Sequence, residues 1–220
     1  MALRIVFFDC DGTLTTVGSS WQYIHERLGI WDRHADEYQR LFRAGEIDYL
    51  EFCRRDASLW KGMSETRVLG ITAEIPYHEG VKETVRALGS EGVLTVVLST
   101  GLSFLVDRVM RELGMTAAVA NELVVEKGVL TGDIRINVAH DAGGGGLHDK
   151  GYWVKRVLRE RGLRKEESAA IGDGEGDRGM FEEAGVAVGY HPSASVLPLL
   201  DHALYNGSFK EVLEVLRAHR

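Results

Sequence analysis

Apolar positions along the chain keep two rhythms. Residues 5–8, 93–98, 168–171 and 186–188 are short, predominantly apolar runs, the pattern of strands buried on both faces. Between them, Leu102, Leu105, Val106, Val109, Met110 and Leu113 recur at helical spacing, and Gly114 closes that helix. Further helices are expected over 80–90, 150–161, 177–184 and 209–216. Residues 120–138 read as strand material turned back at Glu126-Lys127-Gly128, and the glycines at 143–146 as a flexible linker. From the first strand to Pro76 the rhythm is helical only. Ser19-Ser20-Trp21-Gln22 reads as a capping box opening a helix with Trp21, Ile24 and Leu28 on one face. Helices follow over 31–43 and 48–60, broken near Gly45, and a fourth capped by Ser64 carries Val68, Ile71 and Ile75. Strands alternating with helices give a doubly wound, mostly parallel α/β sheet, here interrupted by an all-helical insert.

Composition narrows the class without naming a chemistry. The 220 residues suffice for one large domain or two small ones. A net charge of −7 leaves no basic excess to neutralise phosphates, so neither nucleic acid nor an anionic membrane is an expected partner. No apolar run approaches the ~18 residues of a membrane span. The first strand starts too early for a signal peptide, so a soluble, cytoplasmic monomer or homodimer is expected. Cys10 and Cys53 lack metal-ligand spacing and read as buried, reduced thiols.

Candidate chemistry collects where open α/β sheets bind ligands, beyond the carboxyl ends of the strands. The first strand runs into Asp9 and Asp11, and the second into Ser99-Thr100-Gly101. Lys150 opens a helix, and the strand at 168–171 runs into Gly172-Asp173-Gly174-Glu175-Gly176-Asp177. Hydroxyls and helix N-termini suit a phosphate, but several carboxylates beside a dianion require a divalent cation. Mg²⁺-assisted phosphoryl transfer to a carboxylate is the coherent reading.

In order and position these four segments resemble the motifs of the haloacid dehalogenase superfamily of phosphatases: Asp9 to Thr13, Ser99, Lys150, and Gly172 to Asp177. The resemblance covers essentially the whole chain. It implies a core of residues 1–14 and 78–220 and a helical cap of residues 15–77. It also implies Asp9 as nucleophile, Asp11 as general acid/base with a backbone carbonyl on the metal, and Ser99, Thr100, Gly101 and Lys150 around the phosphoryl group. Asp9 and Asp173 are then Mg²⁺ ligands, while Asp177 binds the metal through water or orients Lys150. The substrate is expected to be a small phosphorylated metabolite, hydrolysed through an aspartyl-phosphate. Transfer to an alcohol, or phosphate binding without turnover, are the alternative readings of the same motifs.

Within the superfamily the chain looks most like the phosphoserine phosphatase group, with departures. Gly12 stands where that group has Ser, and Gly18 where a cap glutamate recognises the amino group. Asp56 aligns with its cap arginine. The catalytic positions are kept while the substrate-reading ones have changed, which argues against phosphoserine without excluding it. Trp21, His25, Arg54 and Arg55 are the cap candidates for substrate contact.

Overall fold

The computed structural model describes residues 2–141 and 147–219; the glycines at 143–146 lie outside them. Its strands are β1 (Ile5–Phe8), β2 (Leu94–Leu102), β3 (Ala117–Glu126), β4 (Val129–Arg135), β5 (Ser168–Gly172), β6 (Val186–Tyr190) and β7 (His202–Leu204). They form one sheet in the order β4-β3-β2-β1-β5-β6-β7, parallel except for β4. β1 is central, with Phe8 registered against Val97 of β2 and Ile171 of β5. All four of its residues are buried.

Both faces of the sheet are covered, as the alternation of elements requires. Val6 and Phe8 pack towards α5 (Val81–Ser90), α6 (Ser103–Leu113) and α9 (Lys210–Ala218). Ile5 and Phe7 pack the other way, towards α7 (Lys150–Arg161) and α8 (Arg178–Glu183). The doubly wound architecture expected from the sequence is therefore the one observed.

The insert between β1 and α5 holds α1 (Ser20–Leu28), α2 (Ala35–Arg43), α3 (Tyr49–Ser58) and α4 (Glu65–Ala73). Trp21, Ile24, Cys53 and Trp60 share a hydrophobic cluster with Leu102 of β2, Leu123 of β3 and Leu130 of β4. Its chain also lies along the outer edge of β4: Gly62 N–H donates to Leu130 O (2.9 Å), Leu130 N–H to Met63 O (2.8 Å), and Glu65 N–H to Gly128 O (2.9 Å). Two adjacent segments join insert and sheet, paired by Thr16 N–H to Pro76 O (3.0 Å) and His78 N–H to Leu14 O (3.1 Å).

Local differences from expectation have local causes. The helix expected over 31–43 splits into a 3-10 turn (Trp31–Arg33) and α2, because His34 at φ −152° leaves helical space. β2 continues past 98, since its pairing with β3 resumes after a bulge at Leu102↔Asn121. The helix expected from 177 begins at Arg178, preceded by a 3-10 turn at Glu175–Asp177. Half of the capping box forms: Ser19 Oγ accepts from Gln22 N–H (3.2 Å), but the Gln22 side chain goes to Glu26 (2.7 Å). The three-residue β7 had no counterpart in the sequence reading. Cys10 and Cys53 are buried and free.

Candidate active site

Parallel strands place their carboxyl ends along one rim, so β1, β2 and β5 bring their terminal residues together. Asp9 follows β1, and its N–H still donates to Ile171 O (2.9 Å), which fixes the backbone under the carboxylate. Lys150, 2% exposed, opens α7 and donates to Asp9 Oδ1 and to Asp177 Oδ1 (2.5 Å). Asp177 Oδ2 accepts from the N–H groups of Asp173 (2.9 Å) and Gly174 (3.0 Å). Both Asp177 oxygens are thus engaged, one on the lysine and one on the loop carrying Asp173. Asp173 Oδ1 accepts from Thr13 Oγ1 (3.1 Å).

The electrostatics of this cluster ask for a cation. Burial pushes the Asp9 carboxyl well above its usual range against the pull of Lys150, with Asp177 and Asp173 pushing the same way. Asp173 is pushed up to about 7 by burial and by the Asp177 charge. Burial alone would lower Lys150, but Asp177 and Asp9 outweigh it and hold the ammonium above its ordinary range. Oxygens of Asp9, Asp173 and Asp177 lie within 4.8 Å of one another. With all three carboxylates ionised, one lysine would leave two charges uncompensated. Hard oxygen donors carrying that excess fit a small divalent ion such as Mg²⁺.

Asp11 stands apart from the cluster. Its Oδ2 accepts from Ser20 N–H (2.7 Å) and Ser20 Oγ (2.6 Å), at the start of α1, while its buried Oδ1 has no partner among the described residues. Burial raises this carboxyl, against the two Ser20 bonds that lower it. Beside it, Ser99 Oγ accepts from Gly101 N–H (2.9 Å), which leaves the hydroxyl proton to donate elsewhere. A β-carbon on Gly101 would lie 3.0 Å from Asp11 Oδ2, Ser20 Oγ and Ser99 Oγ, close enough that these side chains would have to give way to any larger residue. The Thr100 carbonyl receives three donors: Trp21 Nε1 (3.4 Å), Tyr49 Oη (3.0 Å) and Asn121 Nδ2 (2.9 Å).

Asp9, Asp11, Thr100, Gly101, Lys150, Asp173 and Asp177 line one cavity of about 300 Å³ between sheet and insert. Trp21 also lines it, and the other cap candidates do not. His25 is fully buried inside the insert, where Trp60 Nε1 donates to its Nδ1 (3.2 Å) and Asp56 faces its Nε2 at 3.5 Å. Arg54 is exposed. Arg55 pairs with Glu51 (2.7 Å) and lies over the Tyr38 ring. On α3 these arginines face away because Tyr49, Phe52 and Cys53 occupy its inner side. Instead α2 supplies Gln39, Phe42 and Arg43, α3 supplies Tyr49 and Phe52, and His140 comes from the segment after β4. The i, i+4 spacing of Gln39 and Arg43 was a signal that they share a face. His140 had none.

Comparison with known proteins follows the geometry. The profile of haloacid dehalogenase-like hydrolases matches residues 6–182. The chain belongs to that family. This hydrolase is 31% identical to a phosphoserine phosphatase of Archaeoglobus fulgidus over 97% of its own length, and spans about 60% of that relative. It is 25% identical to a phosphoserine phosphatase of Methanocaldococcus jannaschii, covering 97% of this chain and 98% of the relative. A solved structure described as a phospho-aspartyl intermediate analogue of phosphoserine phosphatase shares the hydrolase's fold, with TM-score 0.83 and 24% identity over 98% of this chain and 99% of that one. The relatives carry the phosphatase name to which the motifs pointed.

Proposed function

We propose that this hydrolase is a metal-dependent phosphomonoesterase acting on a small phosphorylated metabolite, with residues 15–77 as its cap. The observation that carries the reading is the pairing, in one cavity, of a lysine-clamped Asp9 with the partnerless Oδ1 of Asp11. Asp9 is the nucleophile: its carboxylate attacks phosphorus and becomes an aspartyl-phosphate. Asp11, protonated, gives its proton to the departing oxygen, then as carboxylate takes one from the water that cleaves the intermediate. Its anchorage on Ser20 aims the free oxygen while the cap is seated.

Lys150 neutralises Asp9 and the transferring group, and the Ser99 hydroxyl donates its proton to a phosphoryl oxygen beside Thr100 and Gly101. Asp9 and Asp173 with the Asp11 main-chain carbonyl would hold Mg²⁺, which would neutralise phosphate charge. Asp177 acts from behind, orienting Lys150 and the Asp173 loop. The cap excludes water during transfer.

The test is phosphate release from a panel of phosphomonoesters, phosphoserine included, with Mg²⁺ or EDTA, on wild type and Asp9→Asn. Metal-dependent release that falls at least 10³-fold in the variant is expected from loss of the nucleophile (order of magnitude). Equal release from both proteins would overturn the role of Asp9.

A further inference from the structure

Resting on the phosphatase reading, we infer that the leaving group has a flat, apolar body, carries an anionic oxygen group at its far end, and carries no ammonium. The walls decide the body. Trp21, Phe42, Tyr49 and Phe52 of the cap and His140 of the core surround the space above Asp9, with Phe42 edge-on to His140 at 5.5 Å between ring centroids. The polar ends of two of these rings are already spent. Trp21 Nε1 donates to Thr100 O, and Tyr49 Oη donates there too while accepting from Asn121 Nδ2 (2.9 Å). They offer a ligand apolar surface and little else, which favours a ring or a comparably flat group. A cavity of about 300 Å³ is at the small end of ligand sites and limits the body to about one ring beside the phosphate.

Charge decides the far end. Among the described residues every carboxylate lining the cavity is on the core side, at Asp9, Asp11, Asp173 and Asp177. The cap side contributes none, and Gly18 lines the wall without a side chain. An ammonium in the leaving group would find no carboxylate on the cap side and would lie near a guanidinium. That guanidinium is Arg43, at the end of α2, with Gln39 one turn before it. Neighbouring Arg40 pairs with Glu46, whereas Arg43 has no ion pair among the described residues. Arg43 and Gln39 also border the groove outside α1, where the carboxylate present, Glu26, accepts from the Gln22 amide through one oxygen and makes no ion pair with Arg43 among the described residues. A fork of N–H donors at the mouth of an aromatic-walled cavity recognises a carboxylate or phosphonate.

A matched series reads each part. It comprises phenyl phosphate, 4-carboxyphenyl, 4-phosphonophenyl and 4-(aminomethyl)phenyl phosphate, and 4-carboxybutyl phosphate. In wild type the anionic aryl esters should exceed phenyl phosphate about tenfold in kcat/KM, and the aminomethyl ester should fall below it. The carboxybutyl ester should trail the carboxyphenyl ester about fivefold. The carboxyl and phosphonyl arms tell which anion is preferred. Arg43→Ala should bring the anionic-to-phenyl ratio close to one, chiefly through KM, while Arg43→Lys keeps part of it and Arg54→Ala all of it. A preference for the aminomethyl ester, equal rates on aryl and alkyl esters, or an unchanged ratio in Arg43→Ala overturns the inference. If no ester releases phosphate, the phosphatase reading fails, yet calorimetry on Asp9→Asn still tests the subsite. Tighter binding of the carboxyphenyl than the aminomethyl ester, lost with Arg43→Ala, supports it; equal binding overturns it.

Discussion

A β-carbon on Gly12 would lie 2.7 Å from Asp173 Oδ2, and the Gly12 backbone sits at φ +81°. The residue is thus doubly constrained, by conformation and by the carboxylate packed against it. Gly12→Ala should cost about 1–2 kcal/mol in backbone strain and displace Asp173 from the Asp9 side of the cluster. The expected outcome is a Tm lowered by roughly 2–8 °C and a Mg²⁺ requirement for activity raised about tenfold, the factor for 1.4 kcal/mol lost from metal binding. A Mg²⁺ titration checks it, and an unchanged midpoint would separate Asp173 from the metal. The charged residues that converge on the cavity floor were legible in the sequence because each follows a strand or opens a helix on one rim, and parallel topology makes such positions converge. Arg43, Gln39 and His140 were not. They share the cavity only through the way α2 and the segment after β4 come to lie over the sheet, which no local pattern records. Among the insert's arginines, sequence offered no physical reason to prefer Arg43 over Arg54 or Arg55.

α1 and α3 of the insert are held by a polar contact inside an apolar cluster. Asp56 faces His25 Nε2 at 3.5 Å, its Oδ1 is buried without a partner among the described residues, and Trp60 closes the other side of the imidazole. Burial raises the Asp56 carboxyl above its ordinary range, opposed by His25. The folded protein therefore holds this proton more tightly than the unfolded chain, and the contribution to stability is lost as pH rises through the folded value. Asp56→Asn cannot ionise, so its Tm relative to wild type should rise between pH 4 and 7, by about 2–4 °C for each kcal/mol relieved. Thermal melts across that range check the sign; a relative Tm that falls with pH would mean the carboxylate is favoured by its surroundings. The elements themselves were mostly legible, down to the turn where Lys127 and Gly128 both take positive φ. What escaped was set by tertiary partners: β2 continues to Leu102 because Asn121 of β3 meets it there, and β7 is too short to carry a pattern.

At the scale of the molecule, the cap and the sheet share apolar substance. Trp21, Ile24 and Trp60 from the insert are in one cluster with Leu102, Leu123 and Leu130 from the sheet. A cap that buries its core against β2, β3 and β4 has little of its own to fold around. A single calorimetric transition is expected for the whole chain. Trp60→Ala, removing a fully buried ring at a cost of about 3–5 kcal/mol, should lower that one transition by roughly 6–20 °C. A low-temperature peak splitting from an unshifted main peak would show instead that the cap melts alone.

The run of backbone bonds from residues 62–65 to β4 has a consequence outside catalysis. β4 is a terminal strand of the sheet, and a bare terminal strand is a template on which another molecule's chain adds. Here Gly62, Met63 and Glu65 occupy part of that template from within the same chain. The insert that walls the cavity therefore also covers part of the sheet's edge, and makes self-association through this edge compete with an intramolecular partner already in place.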